Sequence, residues 1–361
     1  MNLLEEVRPG ANRYISGKGV LNELPNYLQP FEKVAIITGE ISFQVFNNYY
    51  KEPFNYPVFT YDGSASDEDS QRLAIEIKEV DVIVAIGGGR LLDTAKLTAE
   101  ILGCDLFMIP TVISNCAPYV PVIAVYTQEE HQFKRMGITS KSSFITLVDW
   151  QFLLATPRDY LIAGIGDTLA KWYEIEGVTR HLPEEEKTAV IRLGIAIAKE
   201  ILEILQMDSQ KAIAALERQE VTNEFGRIAD TIIVLAGGVG GFAGKYGRIA
   251  GAHAIHNGLS LLPETHDVLH GSKVAYGILV QLAYTGDFDE IEKLLQLYQE
   301  LTLPTTLAEI NVATSSHEKI EPVATFAASE IESFIQIDPK VTPEKILMAM
   351  EKLETFISNK K

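Results

Sequence analysis

At 361 residues the chain is longer than a single hydrophobic core usually grows, so two domains with a ligand cleft between them are expected. Its 49 Asp+Glu against 31 Lys+Arg, a formal net charge of −18, leave no basic face for a nucleic acid or an anionic membrane to engage. Two cysteines, Cys104 and Cys116, are too few for a disulfide framework or a thiolate metal cage.

The first residues lack the basic-then-apolar pattern of a signal peptide, and no segment approaches the roughly 18–20 uninterrupted apolar residues of a membrane span. A cytoplasmic protein is the expectation. Near-continuous apolar runs then occupy residues 33–39 (KVAIITG), 56–61, 80–86 (VDVIVAI), 106–110, 122–127 and 144–148. Such runs suit parallel strands covered on both faces. Between them, Ser66 and three acidic residues open a helix whose apolar side is Leu73, Ile75, Ile77 and Val80. The alternation predicts a doubly wound α/β dinucleotide-binding domain over residues 1–157. Beyond it the strand-like runs disappear. Helical periodicity marks residues 184–205, 220–235, 273–283, 289–301 and 343–357, and Pro183 with three glutamates reads as a helix start. Residues 158–361 are therefore expected to form an all-helical metal and substrate domain.

Two places carry chemistry. Ile86 is followed by Gly87-Gly88-Gly89-Arg90, with Asp93 and Lys96 in the next turns. Consecutive glycines at the end of a strand let the backbone approach a pyrophosphate, and the N–H groups of the following helix favour the anion. The alternative is a tight turn without a ligand, in which Asp93 and Lys96 simply form a salt bridge. In the second half, Gly164-x-Gly-Asp167 opens a helix with Asp167 near its start, and His253, His256, His266 and His270 fall within 18 residues. One carboxylate and two imidazoles suit a catalytic divalent metal with open positions. Satisfied core or surface histidines are the alternative.

These segments, taken together and in this order, resemble the iron-containing alcohol dehydrogenase superfamily, within it the glycerol dehydrogenase branch. The resemblance rests on Gly87-Gly88-Gly89 with Asp93 and Lys96, on Pro110-Thr111 with Ser114, on Gly164-x-Gly-Asp167, on His253-Ala-x-His256-Asn-Gly258-Leu259, and on His270-Gly271-x-Lys273-Val274-Ala275. It implies a metal-dependent, nicotinamide-linked enzyme with its active site in the interdomain cleft, assembled as a homo-oligomer. It implies Asp167, His253 and His270 as metal ligands, with zinc usual in this branch and iron in others. Gly87, Gly88, Gly89 and Arg90 would face the pyrophosphate, and Thr111, Ser114, Val120, Val122 and Tyr126 the adenine and nicotinamide. Glu40 falls where the family places an acid near the adenosine ribose, which favours NAD; Gly39 in that register would admit NADP.

Two departures bear on substrate. Where glycerol dehydrogenases carry an Asp that contacts the polyol, this chain has Cys116, and one turn beyond Asp167 it has Lys171. Losing an acid and gaining a base points to an anionic substrate, a 2-hydroxy or 2-oxo acid, in keeping with similarity to hydroxycarboxylate-dehydrogenase-like members. A neutral polyol such as glycerol is the alternative, with Lys171 paired to Glu174 and Cys116 filling space. His256 and His266 are candidates to orient ligands or relay the alcohol proton. A dehydroquinate-synthase-like cyclase would share the plan, but it needs more basic residues around a substrate phosphate than this segment offers.

Overall fold

The computed structural model describes residues 6–129, 132–313 and 317–360. They form two compact units. One is Arg8–Arg158 with Lys211–Gly237; the other combines Asp159–Gln210 and Gly238–Lys361 with the described residues before Arg8. A single boundary at 157/158 therefore does not account for residues 211–237, which are helical yet cluster with the α/β unit.

The α/β unit holds β1 (Arg13–Gly17), β2 (Val34–Thr38), β3 (Val58–Thr60), β4 (Val82–Gly87), β5 (Asp105–Pro110), β6 (Val122–Tyr126), β7 (Phe133–Ile138) and β8 (Ile145–Asp149). Six of them make one parallel sheet in the order β1-β8-β5-β4-β2-β3. Helices α1 (Leu24–Leu28), α2 (Glu40–Tyr49), α3 (Asp67–Ile77), α4 (Gly89–Leu102) and α5 (Trp150–Leu153) accompany the strands. Alternate residues feed two cores: Val34, Ile36, Val82, Val84 and Ile86 enter one, and Ala35, Ile37, Ile83 and Ala85 the other. Burial on both faces is why these strands read as unbroken apolar runs.

Three expectations need correction. The run at 122–127 is not a strand of the parallel sheet. It pairs antiparallel with β7 in a separate hairpin, and only alternate residues of β6 are buried. Strands β1 and β7 escaped the sequence pattern because neither has a fully buried residue in its span. In α3, Ser66 caps the helix through Asp69 N–H as expected, but Ile75 is exposed and the inward face is Leu73, Ala74 and Ile77.

Further along come α6 (Arg158–Thr179), α7 (Ala189–Glu217), α8 (Asn223–Asp230), α9 (Ala236–Ala243), α10 (Gly251–Leu259), α11 (His270–Thr285), α12 (Phe288–Leu301), α13 (His317–Ala327) and α14 (Pro343–Ser358). Pro183 and its glutamates make only a 3-10 turn, Glu184–Glu186, and α7 begins later at Ala189. A π turn over Thr231–Leu235 joins α8 to α9. The helical stretch Asn223–Tyr246 is long and apolar enough to cross a membrane by length and composition, yet most of its apolar part is buried within the protein. A helix apolar on most sides is what a core position also requires.

Candidate active site

The helical unit brings its ionisable residues together through close helix contacts. A Cβ on Gly271 would lie 1.8 Å from the Ala163 carbonyl oxygen, and one on Gly277 would lie 2.3 Å from that of Ala252. Only glycine permits α11 to approach α6 and α10 so closely. His270, the first residue of α11, is thereby set beside α6. Asp167 lies well inside the 22-residue α6 rather than near its start, so the helix N-terminus is not what steadies its charge.

Asp167 Oδ1 lies 3.2 Å from His253 Nε2 and 3.2 Å from His270 Nε2. One ligand atom from each of the three residues falls within 4.8 Å of the others. Asp167 and His253 are buried, while the His270 side chain is 48% exposed, which leaves one side of the group open. Behind His253 stands Glu174, 2% exposed. Its carboxylate accepts from His253 Nδ1 at 2.9 Å, from His253 N–H at 3.0 Å and from Ala250 N–H at 2.7 Å. An imidazole whose Nδ1–H is held by a carboxylate presents its Nε2 lone pair outward, the arrangement found behind metal-bound histidines. The donor set, its spacing and this support fit a divalent cation with three protein ligands.

The electrostatics agree. Burial alone would raise the Asp167 carboxyl, but His270 and His253 hold it well below the usual carboxylate range. Burial opposes charge on His253, yet Glu174 and Asp167 push it up to about 9. Glu174, despite its burial, is lowered chiefly by His253, with Lys171 contributing. The pocket thus favours positive charge at the point where the three ligand atoms face one another. His256 is the opposite case: burial, then His270, Lys273 and His253, hold it well below its ordinary value and so neutral.

The other expected residues of this unit sort plainly. His256 Nε2 lies 2.9 Å from His270 Nδ1, so it backs a ligand and is not one itself. His266 is exposed at the end of the 3-10 turn Pro263–Thr265 and takes no part in the hydrogen bonds joining His256 to His270. Lys171 is buried and donates to the Arg248 carbonyl at 2.7 Å. Main chain and the nearby Glu174 charge therefore offset the burial of its ammonium without a substrate carboxylate. Glu174 was legible only as a partner for Lys171; its place seven residues beyond Asp167, on the same helix face, is the signal for its real role. Asn257 and Glu332, described below, had no such signal.

In the α/β unit, β3 lies beyond β2 on one side and β5 beyond β4 on the other. The strand order reverses between β2 and β4, and the crevice at the carboxyl ends of such strands is where open α/β sheets bind nucleotides. Gly88 caps α4 without a side-chain hydrogen bond, and a helix N-terminus in this state can receive an anion on its first N–H groups. Gly39 and the exposed Glu40 open α2 beside this turn, after the paired strand β2. A Cβ on Gly89 would sit 2.9 Å from Asn115 Nδ2, which places the loop of Ser114 and Cys116 against the glycine turn. Thr111 N–H donates to the Gly87 carbonyl, and Cys116 O accepts from Val120 N–H. Arg90 stacks over the Tyr126 ring at 4.6 Å.

Asp93 and Lys96 are spent elsewhere. They form a buried pair at 2.8 Å; Lys96 donates to the Val122 carbonyl at 2.8 Å, and Asp93 accepts from Ala124 N–H at 3.0 Å. These two side chains clamp the β6–β7 hairpin to α4, and Val122 contributes its carbonyl to that clamp.

The sequence pattern of the family described as "Iron-containing alcohol dehydrogenase" matches residues 11–149. The chain is 36% identical over 353 residues to hydroxycarboxylate dehydrogenase A of Escherichia coli (strain K12), covering 96% of this chain and 97% of that one. It is 32% identical to a glycerol dehydrogenase of Thermotoga maritima, covering 95% of each. Among solved structures, that of a probable glycerol dehydrogenase from Sinorhizobium meliloti 1021 superposes with a TM-score of 0.86 at 28% identity, over 98% of this chain and 99% of the other.

Proposed function

Because this chain belongs to the iron-containing alcohol dehydrogenase family and is a metal-dependent, NAD-linked oxidoreductase, we propose that it interconverts a 2-hydroxy acid and the corresponding 2-oxo acid. The convergence of Asp167 Oδ1 with His253 Nε2 and His270 Nε2 is the observation that carries the site assignment. We assign these three as the metal ligands and favour zinc, whose catalytic sites combine imidazole and carboxylate donors in this way. A divalent cation bound there supplies a Lewis acid for the substrate's alcohol or carbonyl oxygen.

The chain's own residues set up the rest. Asp167 offsets the added charge, and Glu174 holds His253 in the tautomer with its Nε2 lone pair forward. The uncapped N–H groups after Gly88 and the Arg90 guanidinium favour the cofactor pyrophosphate. Glu40 supports NAD over NADP, since a carboxylate accepts ribose hydroxyls and repels a 2′-phosphate.

An acid substrate is supported by the identity to a hydroxycarboxylate dehydrogenase, by Cys116 standing where an acid would contact a polyol, and by the Lys171 ammonium, which gives one of its three hydrogens to the Arg248 carbonyl. A neutral polyol is the second reading, favoured by the bond that already engages Lys171 and by the relatives named glycerol dehydrogenases. The zinc-loaded protein should oxidise NADH with 2-oxobutyrate or 2-oxoglutarate. In Lys171→Ala, kcat/KM for the oxo acid should fall roughly 10- to 100-fold, the worth of a hydrogen bond to a charged group. Brisk NAD reduction with glycerol, indifferent to Lys171→Ala, would overturn the acid reading.

A further inference from the structure

The two imidazoles that flank Asp167 are supported differently. His253 rests directly on the Glu174 carboxylate. His270 rests on another imidazole, which can donate or accept, so nothing in that contact alone decides which His270 nitrogen carries the proton. The decision is made farther back. His256 Nδ1 lies 2.9 Å from Asn257 Oδ1, and Asn257 Nδ2 lies 3.2 and 3.1 Å from the two Glu332 oxygens. Glu332 is 8% exposed and precedes the 3-10 turn Ser333–Gln336. Ser333 Oγ donates to the Ala250 carbonyl at 2.7 Å, which fastens that turn to the start of α10.

We propose that Glu332 is a positioning residue which, through Asn257 and His256, fixes the tautomer of His270 so that its Nε2 lone pair is free for the cation. Both Glu332 oxygens face the same Asn257 nitrogen, and although burial raises the Glu332 carboxyl, its ionised form accepts hydrogen bonds and cannot donate, so Asn257 turns its NH2 toward Glu332 and its oxygen toward His256. That oxygen requires a donor, which makes His256 the Nδ1–H tautomer. Its Nε2 is then an acceptor, and His270 must donate from Nδ1. The neutral His270 tautomer protonated only at Nε2, the one that would point a hydrogen at the cation, is excluded.

The surroundings leave this direction uncontested. Ser260 Oγ lies 3.4 Å from His256 Nε2, but its proton goes to the His256 carbonyl at 2.9 Å while Lys273 donates to its oxygen at 3.0 Å. The chain of contacts spans 75 residues from Asn257 to Glu332 and serves the more exposed ligand, which packing alone holds less firmly.

The proposal rests on the metal assignment above, and the test separates the two. Long-range proton–nitrogen NMR on histidine-labelled, zinc-loaded protein should find His256 in the Nδ1–H form and His270 protonated at Nδ1. Zinc affinity, read by chelator competition, should fall about 10- to 100-fold in Glu332→Ala, the usual cost of losing an outer partner of a ligand. Glu332→Gln should recover part of that loss, because its amide oxygen still accepts from Asn257. His256 protonated at Nε2 in the wild type, or equal zinc affinity in Glu332→Ala, would overturn the relay alone. If Glu332→Ala does not fold, the wild-type tautomer decides. Wild-type protein that binds no zinc overturns the metal assignment and the relay with it.

Discussion

At the turn between β4 and α4 the groups we assign to the cofactor are backbone N–H donors, while the ionisable side chains just beyond are occupied in holding a hairpin. In the helical unit the arrangement is inverted. Its glycines bring helix backbones together, and side chains from α6, α10 and α11 supply every candidate ligand atom. The difference follows from what each would bind. A pyrophosphate is large, doubly charged and met well by a fan of main-chain donors. A divalent cation needs a few strong donors at fixed distances, and only side chains with an outer layer of support can hold them there.

If that contrast is right, side-chain deletions should cost chemistry in the helical unit and stability in the α/β unit. Asp167→Asn should have the largest effect. The amide keeps the shape but removes the charge that balances a cation between two imidazoles, so turnover should fall by more than the roughly 100-fold that loss of an outer partner costs. Zinc content measured on the same preparation should fall in step. Near-normal turnover and zinc in this variant would mean that Asp167 does not hold the cation.

Lys96→Met comes next and separates the two meanings of one residue. Sequence alone left Lys96 open as a cofactor contact or a structural ion pair. In the structure its removal strands the buried Asp93 carboxylate, which burial already raises. Breaking such a pair from one side costs about 3–5 kcal/mol. Chemical denaturation should show that loss, with NAD affinity in the still-folded protein changed far less. A large loss of NAD affinity at unchanged stability would return Lys96 to the cofactor.

The legibility of the two units differs for the same reasons. The parallel strands were visible because both faces are buried, and the glycine turn because three adjacent glycines have few other uses. Strand β1, on the sheet's edge, and β7, in the exposed hairpin, carry no such run. Asp167, His253 and His270 stood out as rare polar residues against an apolar background. Their supports did not. Glu174 looked like a partner for Lys171, and Glu332 lies in a segment whose place beside α10 depends on folding of the whole unit. Long-range pairing leaves no local periodicity to read. His266 misled because closeness in sequence to three converging histidines does not bring a residue on a surface turn to the same point.

The smallest effect expected is that of Arg90→Met. Arg90 follows the glycine turn and stacks over Tyr126, so its guanidinium adds one side-chain charge to a site otherwise made of main chain. If N–H donors do most of the binding, loss of the exposed Arg90 charge should weaken NAD by only a few-fold, in the range of about 0.2–1 kcal/mol for an exposed ion pair. The stacking contact, worth about 0.5–1 kcal/mol when exposed, should appear instead as a small loss of stability. Titrating NAD into the variant at low and raised salt would read the charge contribution, which salt screens, and chemical denaturation would read the stacking. A loss of affinity beyond roughly 100-fold would mean that Arg90 carries the pyrophosphate as Asp167 would carry the cation, and the two units would then work by the same principle after all.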